Sequence, residues 1–298
     1  MLRKIIYLIN PISGTREKKS LAEIISEATV ARNIPFRIFP TVASGDYNFL
    51  IDIIREEGFT DVVICGGDGS VSQAVYSLSG LNLRFGIVPM GSGNGLALAA
   101  HIPKPVKKAL EVIFAGFSKP TDGFMVNDQF ACMLCGLGFD AAVAHEFALQ
   151  PRRGLKTYAG LTTRQFFSAS TYSFEIISNK HSFAADAYFI SIANSNQFGN
   201  NFTIAPQANL SDGLLDIVIV KKSGKTMLLW NVLQQVFSGR TKKIENSLEM
   251  PVIYFQTDQL IIRNPGHAPL HIDGEPRESM EELNIKVLPD FFELIQPS

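Results

Sequence analysis

The sequence predicts a doubly wound α/β domain over residues 1–125, followed by an antiparallel β-sandwich over residues 126–298. Three observations lead there. Short apolar runs alternate with amphipathic helical stretches through the first part, the pattern of parallel β-α units. Beyond Asp122 the runs become shorter, take on period two and follow one another with few helices between them, as antiparallel strands do. Two glycine loops, Gly66-Gly67-Asp68-Gly69-Ser70 and Gly91-Ser92-Gly93-Asn94-Gly95, stand where an apolar run gives way to a helical pattern. At such a point a parallel sheet presents bare N–H groups to an anion.

Residues 4–9 form the first strand candidate, and Leu21, Ile24, Ile25 and Ala28 carry helical spacing after it. Residues 35–39 give the second strand, followed by a helix through Phe49, Leu50, Ile53 and Ile54. Residues 61–65 run into the first glycine loop and a helix through Val71, Ala74, Val75 and Leu78, and residues 85–89 run into the second loop. In the second part the strands are expected at 124–127, 130–135, 174–177, 187–193, 215–220, 251–256, 259–262 and 283–287, with helices near 140–149 and 226–238. A last strand near 291–295 either stays in the second domain or returns to the first. Without a linker-like segment, the domains are expected to pack closely, with the ligand cleft between them.

A chain that is 46% hydrophobic and 18% charged is globular. Its net charge of −1 removes the general electrostatic case for nucleic acid as a partner. No apolar run approaches the ~20 residues of a bilayer span, and the first residues enter a strand pattern directly, so a cytoplasmic location is expected. Cys65, Cys132 and Cys135 all lie in apolar segments, as suits a reducing compartment. Cys132-Met-Leu-Cys135 has redox or metal spacing, but no second pair or nearby histidine completes a zinc site, which favours a core strand.

Two motifs mislead. Ser223-Gly224-Lys225-Thr226 has Ile219 where a P-loop needs its first glycine. Gly136-Leu-Gly138-Phe-Asp140-Ala141 fits a dinucleotide fingerprint, yet Lys156 and Gly160 stand near the position of the acidic ribose ligand. The informative residue is Asp68. A carboxylate among phosphate-binding amides repels the ligand unless it handles a magnesium ion or accepts a proton, and both jobs belong to phosphoryl transfer. Asn10-Pro11-Ile-Ser13-Gly14 and Thr41 end the first two strands at the same sheet edge. Thr41 is open to two readings, a phosphate contact or a turn residue; Ser44-Gly45-Asp46 reads as a helix cap.

In this order along the chain, Asn10-Pro-x-Ser-Gly14, Gly66-Gly-Asp-Gly-Ser70, Pro89-Met-Gly-Ser-Gly-Asn94, Gly136-x-Gly-Phe-Asp140, Ile204-Ala-Pro206, Ser211-Asp-Gly-Leu-Leu-Asp216 and Asp273-Gly-Glu275 resemble the diacylglycerol kinase and sphingosine kinase superfamily, in particular its soluble bacterial lipid kinases. The resemblance implies an NAD kinase-like α/β domain and transfer of the γ-phosphate of ATP to a lipid hydroxyl. It places the nucleotide at Asn10, Pro11, Ser13, Gly14, Thr41, Gly66, Gly67, Asp68, Gly69, Ser70, Ser72, Ser92 and Asn94. It implies a structural Mg2+ held by Asp212 with the carbonyls of Asn209 and Leu214, an oxygen-only set that suits a hard cation. For the general base it offers Asp273 and Glu275, or Asp68, with Asp68 otherwise the partner of the catalytic magnesium and phosphates. The second loop reads Gly-Ser-Gly-Asn-Gly, closer to sphingosine and ceramide kinases than to bacterial diacylglycerol kinases. The acceptor therefore stays open among a diacylglycerol, a sphingoid base, a phosphatidylglycerol-like lipid and another long-chain alcohol. Arg152, Arg153 and Lys156 are candidates for transient contact with an anionic membrane surface. The oligomeric state is open, a dimer being compatible. The competing readings are an NAD kinase-like enzyme with a soluble acceptor and a nucleotide-binding regulator without catalysis.

Overall fold

The computed structural model describes residues 3–9, 18–148, 169–199, 202–203, 205–222 and 251–298. The helix expected at 226–238 lies outside them, as do Ser223–Thr226, Arg152, Arg153, Lys156 and Ile204. The chain divides into two compact units, Met1–Thr121 with Asp290–Ser298, and Asp122–Pro289.

The first unit alternates strands and helices: β1 (Ile5–Ile9), α1 (Lys18–Val30), β2 (Phe36–Pro40), a 3-10 turn (Asn48–Leu50), α2 (Ile51–Glu57), β3 (Asp61–Gly66), α3 (Asp68–Ser77), β4 (Arg84–Pro89), α4 (Gly95–Ala99) and α5 (Val106–Ala115). The sheet order is β2-β1-β3-β4, all parallel, with Ile5 opposite both Phe36 and Asp61, and Asp61 opposite Arg84. β1 and β3 are buried nearly throughout because helices cover both faces of a parallel sheet, which is why they read as unbroken apolar runs. β2, at the edge, keeps only partial cover. α2 and α5 each end on a glycine in the left-handed region, Gly58 and Gly116, which lets the last turn close on its own carbonyls.

The second unit holds β5 (Ser118–Val126), β6 (Gln129–Ala131), β7 (Leu134–Gly138), α6 (Phe139–Ala148), β8 (Tyr172–Ser178), β9 (Ser182–Ala193), β10 (Gln197–Gly199), β11 (Phe202–Thr203), β12 (Leu215–Lys221), β13 (Val252–Thr257), β14 (Gln259–Arg263), β15 (Leu270–Ile272), β16 (Glu275–Arg277) and β17 (Glu282–Ile295), with the chain entering it within β5 and leaving it within β17. Its strands pair antiparallel in the order β16-β15-β7-β9-β8-β14-β17, and β12 joins β9 while carrying β13. One apolar core, with Phe124, Leu137, Phe174, Ile190, Ile217, Ile262, Leu270 and Leu283 in it, lies under this sheet.

The structure adds α5, β10 and β11 to the expected elements and departs from them in three further places. The single strand expected at 130–135 is two, β6 and β7, because Cys132 and Met133 turn out of the ladder to donate their N–H groups to Asp273. β15 and β16 were not anticipated, since three residues are too few to show period two. The strands expected at 283–287 and 291–295 form one element, β17, broken by Pro289 and by Asp290 in the left-handed region (φ 50°). Its first part pairs with β14, and its end pairs parallel with β4 in the first unit, Leu294 opposite Phe85.

Candidate active site

In the first unit, β3 ends at Gly66, Gly67 caps α3 in an extended conformation, and Asp68 opens the helix. The second loop follows β4, and Asn94 (φ 53°) turns the chain into α4. Asn94 closes that loop on itself. Its Oδ1 accepts the Gly91 N–H at 2.7 Å, and its Nδ2 donates to the Gly91 carbonyl at 2.7 Å. The two loops meet backbone to backbone, since a Cβ on Gly91 would stand only 2.6 Å from the Gly67 Cα.

Asp68 joins them. One carboxylate oxygen accepts the Gly95 N–H at 3.0 Å and the other the Leu96 N–H at 3.1 Å, so the residue that looked misplaced among amides caps the helix of the neighbouring loop. Gly66 and Gly67 at the end of β3, Asp68, Gly69, Ser70 and Ser72 in the first turns of α3, and Ser92 and Asn94 ahead of α4 are thus gathered at two adjoining strand-to-helix junctions. Thr41 follows β2 and donates its N–H to the Ile9 carbonyl at 3.1 Å, at the same end of the sheet but with β1 between it and β3. Asn10, Pro11, Ser13 and Gly14 lie outside the described residues. The helix cap expected at Ser44-Gly45-Asp46 is not formed: the N-caps are Tyr47 for the 3-10 turn and Leu50 for α2, neither with a side-chain bond, and Asp46 Oδ1 instead accepts the Asn48 N–H at 2.8 Å in a local turn.

In the second unit, Asp273 and Gly274 form the two-residue turn between β15 and β16, with φ of 50° and 78°. Asp-Gly suits this turn because both positions need positive φ. The Asp273 carboxylate is buried and accepts three backbone N–H groups, Cys132 at 3.0 Å, Met133 at 2.9 Å and Leu134 at 3.0 Å. The same segment is held from its other side by Asn194, whose Nδ2 donates to the Cys132 carbonyl at 3.1 Å and to the Asp122 carbonyl at 2.9 Å. Sequence reasoning missed Asn194; the available signal was a polar residue closing an apolar strand. Glu275, directly after the turn, is partly exposed, and its Oε2 accepts Arg277 Nη2 at 3.0 Å.

The Gly136-x-Gly-Phe-Asp140 motif proves to be packing chemistry. A Cβ on Gly136 would collide with the Asp140 carboxylate and the His271 ring, and one on Gly138 (φ 90°) would collide with the Tyr188 carbonyl. Neither Asp140 nor His271 was assigned a role from the sequence. Cys132 and Cys135 are buried free thiols, and the Cys135 thiol is pushed well up, first by burial.

The Asp212-Gly213 turn is built around Asp122, whose Oδ2 accepts the Gly213 N–H at 2.7 Å and whose own N–H donates to the Leu210 carbonyl at 2.7 Å. Asp212 Oδ1 accepts the Leu214 N–H at 3.1 Å, and Asn209 Oδ1 accepts the Ser211 N–H at 3.2 Å. Burial raises the Asp212 carboxyl above the ordinary range, and the Asp122 charge adds to it. Nearby Asp216, bonded by the Tyr254 hydroxyl and by Gln256 Nε2 at 3.2 Å, is pushed up to about 6 by burial. Among the described residues no three acidic, histidine or cysteine side chains converge as a metal cluster.

Comparison with known proteins gives these sites a context. Residues 4–126 match the model of the diacylglycerol kinase catalytic domain, and residues 134–296 match the YegS C-terminal NAD kinase beta sandwich-like domain. The chain belongs to the YegS-like lipid kinase family. As a member it is a phosphotransferase, with the glycine loops in the catalytic-domain match and the Asp273–Glu275 turn in the sandwich match. Among its relatives, a probable lipid kinase YegS-like of Shewanella frigidimarina is 31% identical over 246 residues, covering 79% of this chain and 76% of the relative. A probable lipid kinase YegS of Salmonella typhimurium is 29% identical over 264 residues, covering 86% of this chain and 84% of the relative. A crystal structure of a diacylglycerol kinase from Bacillus anthracis superposes with a TM-score of 0.75 at 18% identity, covering 99% of this chain and 97% of that one, which carries the fold.

Proposed function

We propose that the protein transfers the γ-phosphate of ATP to a hydroxyl group of a lipid. The observation that carries this reading is the pair of glycine loops closed backbone to backbone, with the Asp68 carboxylate bonded to Gly95 and Leu96 of the second loop's helix. This arrangement supports a preorganised phosphate cradle beside a carboxylate. In it, Gly67, Gly69, Ser70, Ser72, Ser92 and Asn94 bind the phosphates, and Asn10, Pro11, Ser13, Gly14 and Thr41 complete the nucleotide site. The Asp68 carboxylate, set among the phosphate-binding amides, suits a magnesium ion, which when bound would neutralise charge on the phosphate oxygens.

Glu275 takes the role of general base. Its Oε1 is not tied by Arg277, whereas the Asp273 carboxylate is committed to three amides and holds the turn from which Glu275 projects. A second, structural magnesium fits Asp212 with the carbonyls of Asn209 and Leu214. The donors are all oxygen, and the raised Asp212 carboxyl is in the condition that a bound cation relieves. A diacylglycerol, a sphingoid base, a phosphatidylglycerol-like lipid and another long-chain alcohol are the acceptor classes in question. Three buried free cysteines support work in the cytoplasm, with transient contact at the membrane surface. No helix among the described residues is long and apolar enough to cross a membrane.

The test is transfer of label from [γ-32P]ATP with magnesium into a total lipid extract in detergent micelles, with NAD in a parallel tube and Asp68→Ala and Glu275→Gln as controls. A labelled lipid that disappears in both variants supports the reading and identifies the acceptor. Label in NAD alone moves the enzyme to a soluble acceptor, and nucleotide binding without any transfer overturns catalysis.

A further inference from the structure

We infer that His271, its ring proton fixed by Asp140, is a positioning residue that holds the Asp273-Gly274 turn and through it the Glu275 carboxylate. The inference rests on the reading of Glu275 as the base. His271 is fully buried on β15, paired with Gly136 of β7 and Pro276 of β16. Its strand neighbours Leu270 and Ile272 enter the apolar core, so period two sends the imidazole to the opposite face.

There it makes two bonds of opposite sense. The Gly274 N–H donates to Nδ1 at 3.3 Å, which requires that nitrogen to be unprotonated. A neutral ring then carries its proton on Nε2, which lies 3.4 Å from Asp140 Oδ2. The other Asp140 oxygen accepts the Ala141 N–H at 2.8 Å in the first turn of α6, so the carboxylate is itself oriented. Room for the pair exists only because Gly136 has no side chain. A histidine that merely filled space would need neither the aspartate on its far nitrogen nor the cleared glycine. The turn is therefore gripped twice, Asp273 through its carboxylate and Gly274 through its N–H, and Glu275 is the next residue. A carboxylate partner that fixes the tautomer of an imidazole is a general device for orienting it.

Two substitutions separate the two bonds. Glutamine places a polar atom near the Nε2 position and asparagine near Nδ1, so His271→Gln loses the Gly274 bond whereas His271→Asn keeps it. In lipid phosphorylation assays, His271→Gln and Asp140→Asn are expected to lower kcat about tenfold to a hundredfold with KM for ATP unchanged, and His271→Asn to recover most of that loss. Two measurements do not depend on activity. Nitrogen-15 NMR of the histidine rings should show His271 protonated on Nε2, and hydrogen exchange at the Gly274 amide should accelerate in His271→Gln and stay slow in His271→Asn. A proton on Nδ1, equal kcat in the two histidine variants, or a parallel loss of ATP affinity overturns the proposal. Absence of lipid phosphorylation by the wild-type protein overturns the reading of the function instead, and the NMR and exchange results still decide whether His271 holds the turn.

Discussion

Asp68 shows how much one carboxylate's choice of partner decides. Bonded to the amides of Gly95 and Leu96, it makes two loops into one cradle, and the Gly67–Gly91 contact is the steric counterpart of that bond. Gly91→Ala must push the loops apart, since the obstacle is backbone. It is expected to cost about 1–3 kcal/mol and to raise KM for ATP at least tenfold. Gly80→Ala is the control. Gly80 has φ of 84° but open space around it, so the change costs about 1 kcal/mol and leaves KM unaltered. Denaturant midpoints and steady-state kinetics of the two variants check both statements. Tyr7 gives a pH-dependent counterpart. Burial pushes its hydroxyl up to about 12, while it shares a 2.9 Å hydrogen bond with Thr29. The folded chain holds this proton more tightly than the unfolded one, so the stability is fully present below pH ~10 and is lost as pH rises through about 12, a span of roughly 2–3 kcal/mol. Tyr7→Phe should flatten that alkaline loss at a cost of about 1 kcal/mol at neutral pH, because Thr29 keeps its bond to the Ile25 carbonyl.

At the scale of elements, the parallel sheet is tied at the end opposite its glycine loops. Asp61, fully buried at the start of β3, pairs with Arg3 ahead of β1 and with Arg84 Nη2 of β4 at 2.7 Å. The same guanidinium groups donate to the last carbonyls of α5, Arg3 Nη1 to Phe114 at 3.0 Å and Arg84 Nη1 to Gly116 at 3.1 Å. One acid thus couples three strands to the C-terminus of a helix, where cations are favoured. Removing it leaves two arginines without their shared partner, so Asp61→Ala should cost about 3–5 kcal/mol in urea unfolding. Because the network is remote from the loops, kcat of the folded fraction should stay within about twofold of wild type, and a larger fall would mean that the sheet transmits strain to the cradle.

At the scale of the whole molecule, each unit has its own core, and the chain passes between them within β5 and again within β17. The acidic turn at Asp212 belongs to the second unit, so a magnesium ion bound there acts on that unit's stability. Thermal unfolding of the wild-type protein should shift upward with added Mg2+, by about 2.7 kcal/mol at a hundred times the dissociation constant. Asp212→Asn should abolish the shift while leaving the Mg2+-free stability close to wild type or higher, since the raised Asp212 carboxyl is a strain that the amide does not carry. An undiminished shift in the variant would place the ion elsewhere.

The sequence by itself determined the order of strands β1 to β4 with the helices between them, the change to antiparallel strands after Asp122, and the two glycine loops. These features depend on the period of apolar residues and on which residues tolerate a turn, and both are local properties of the chain. Only the tertiary structure decided what the polar side chains are bonded to. Asp68 reaches amides 27 and 28 residues away, Asp273 reaches back 139–141 residues to split one expected strand into β6 and β7, and His271 meets Asp140 across 131 residues. The union of 283–287 and 291–295 in one strand likewise depends on β4, which supplies the edge on which its end pairs. A buried carboxylate must find donors somewhere, but which donors reach it is settled by segments that come together only when the sheets have formed.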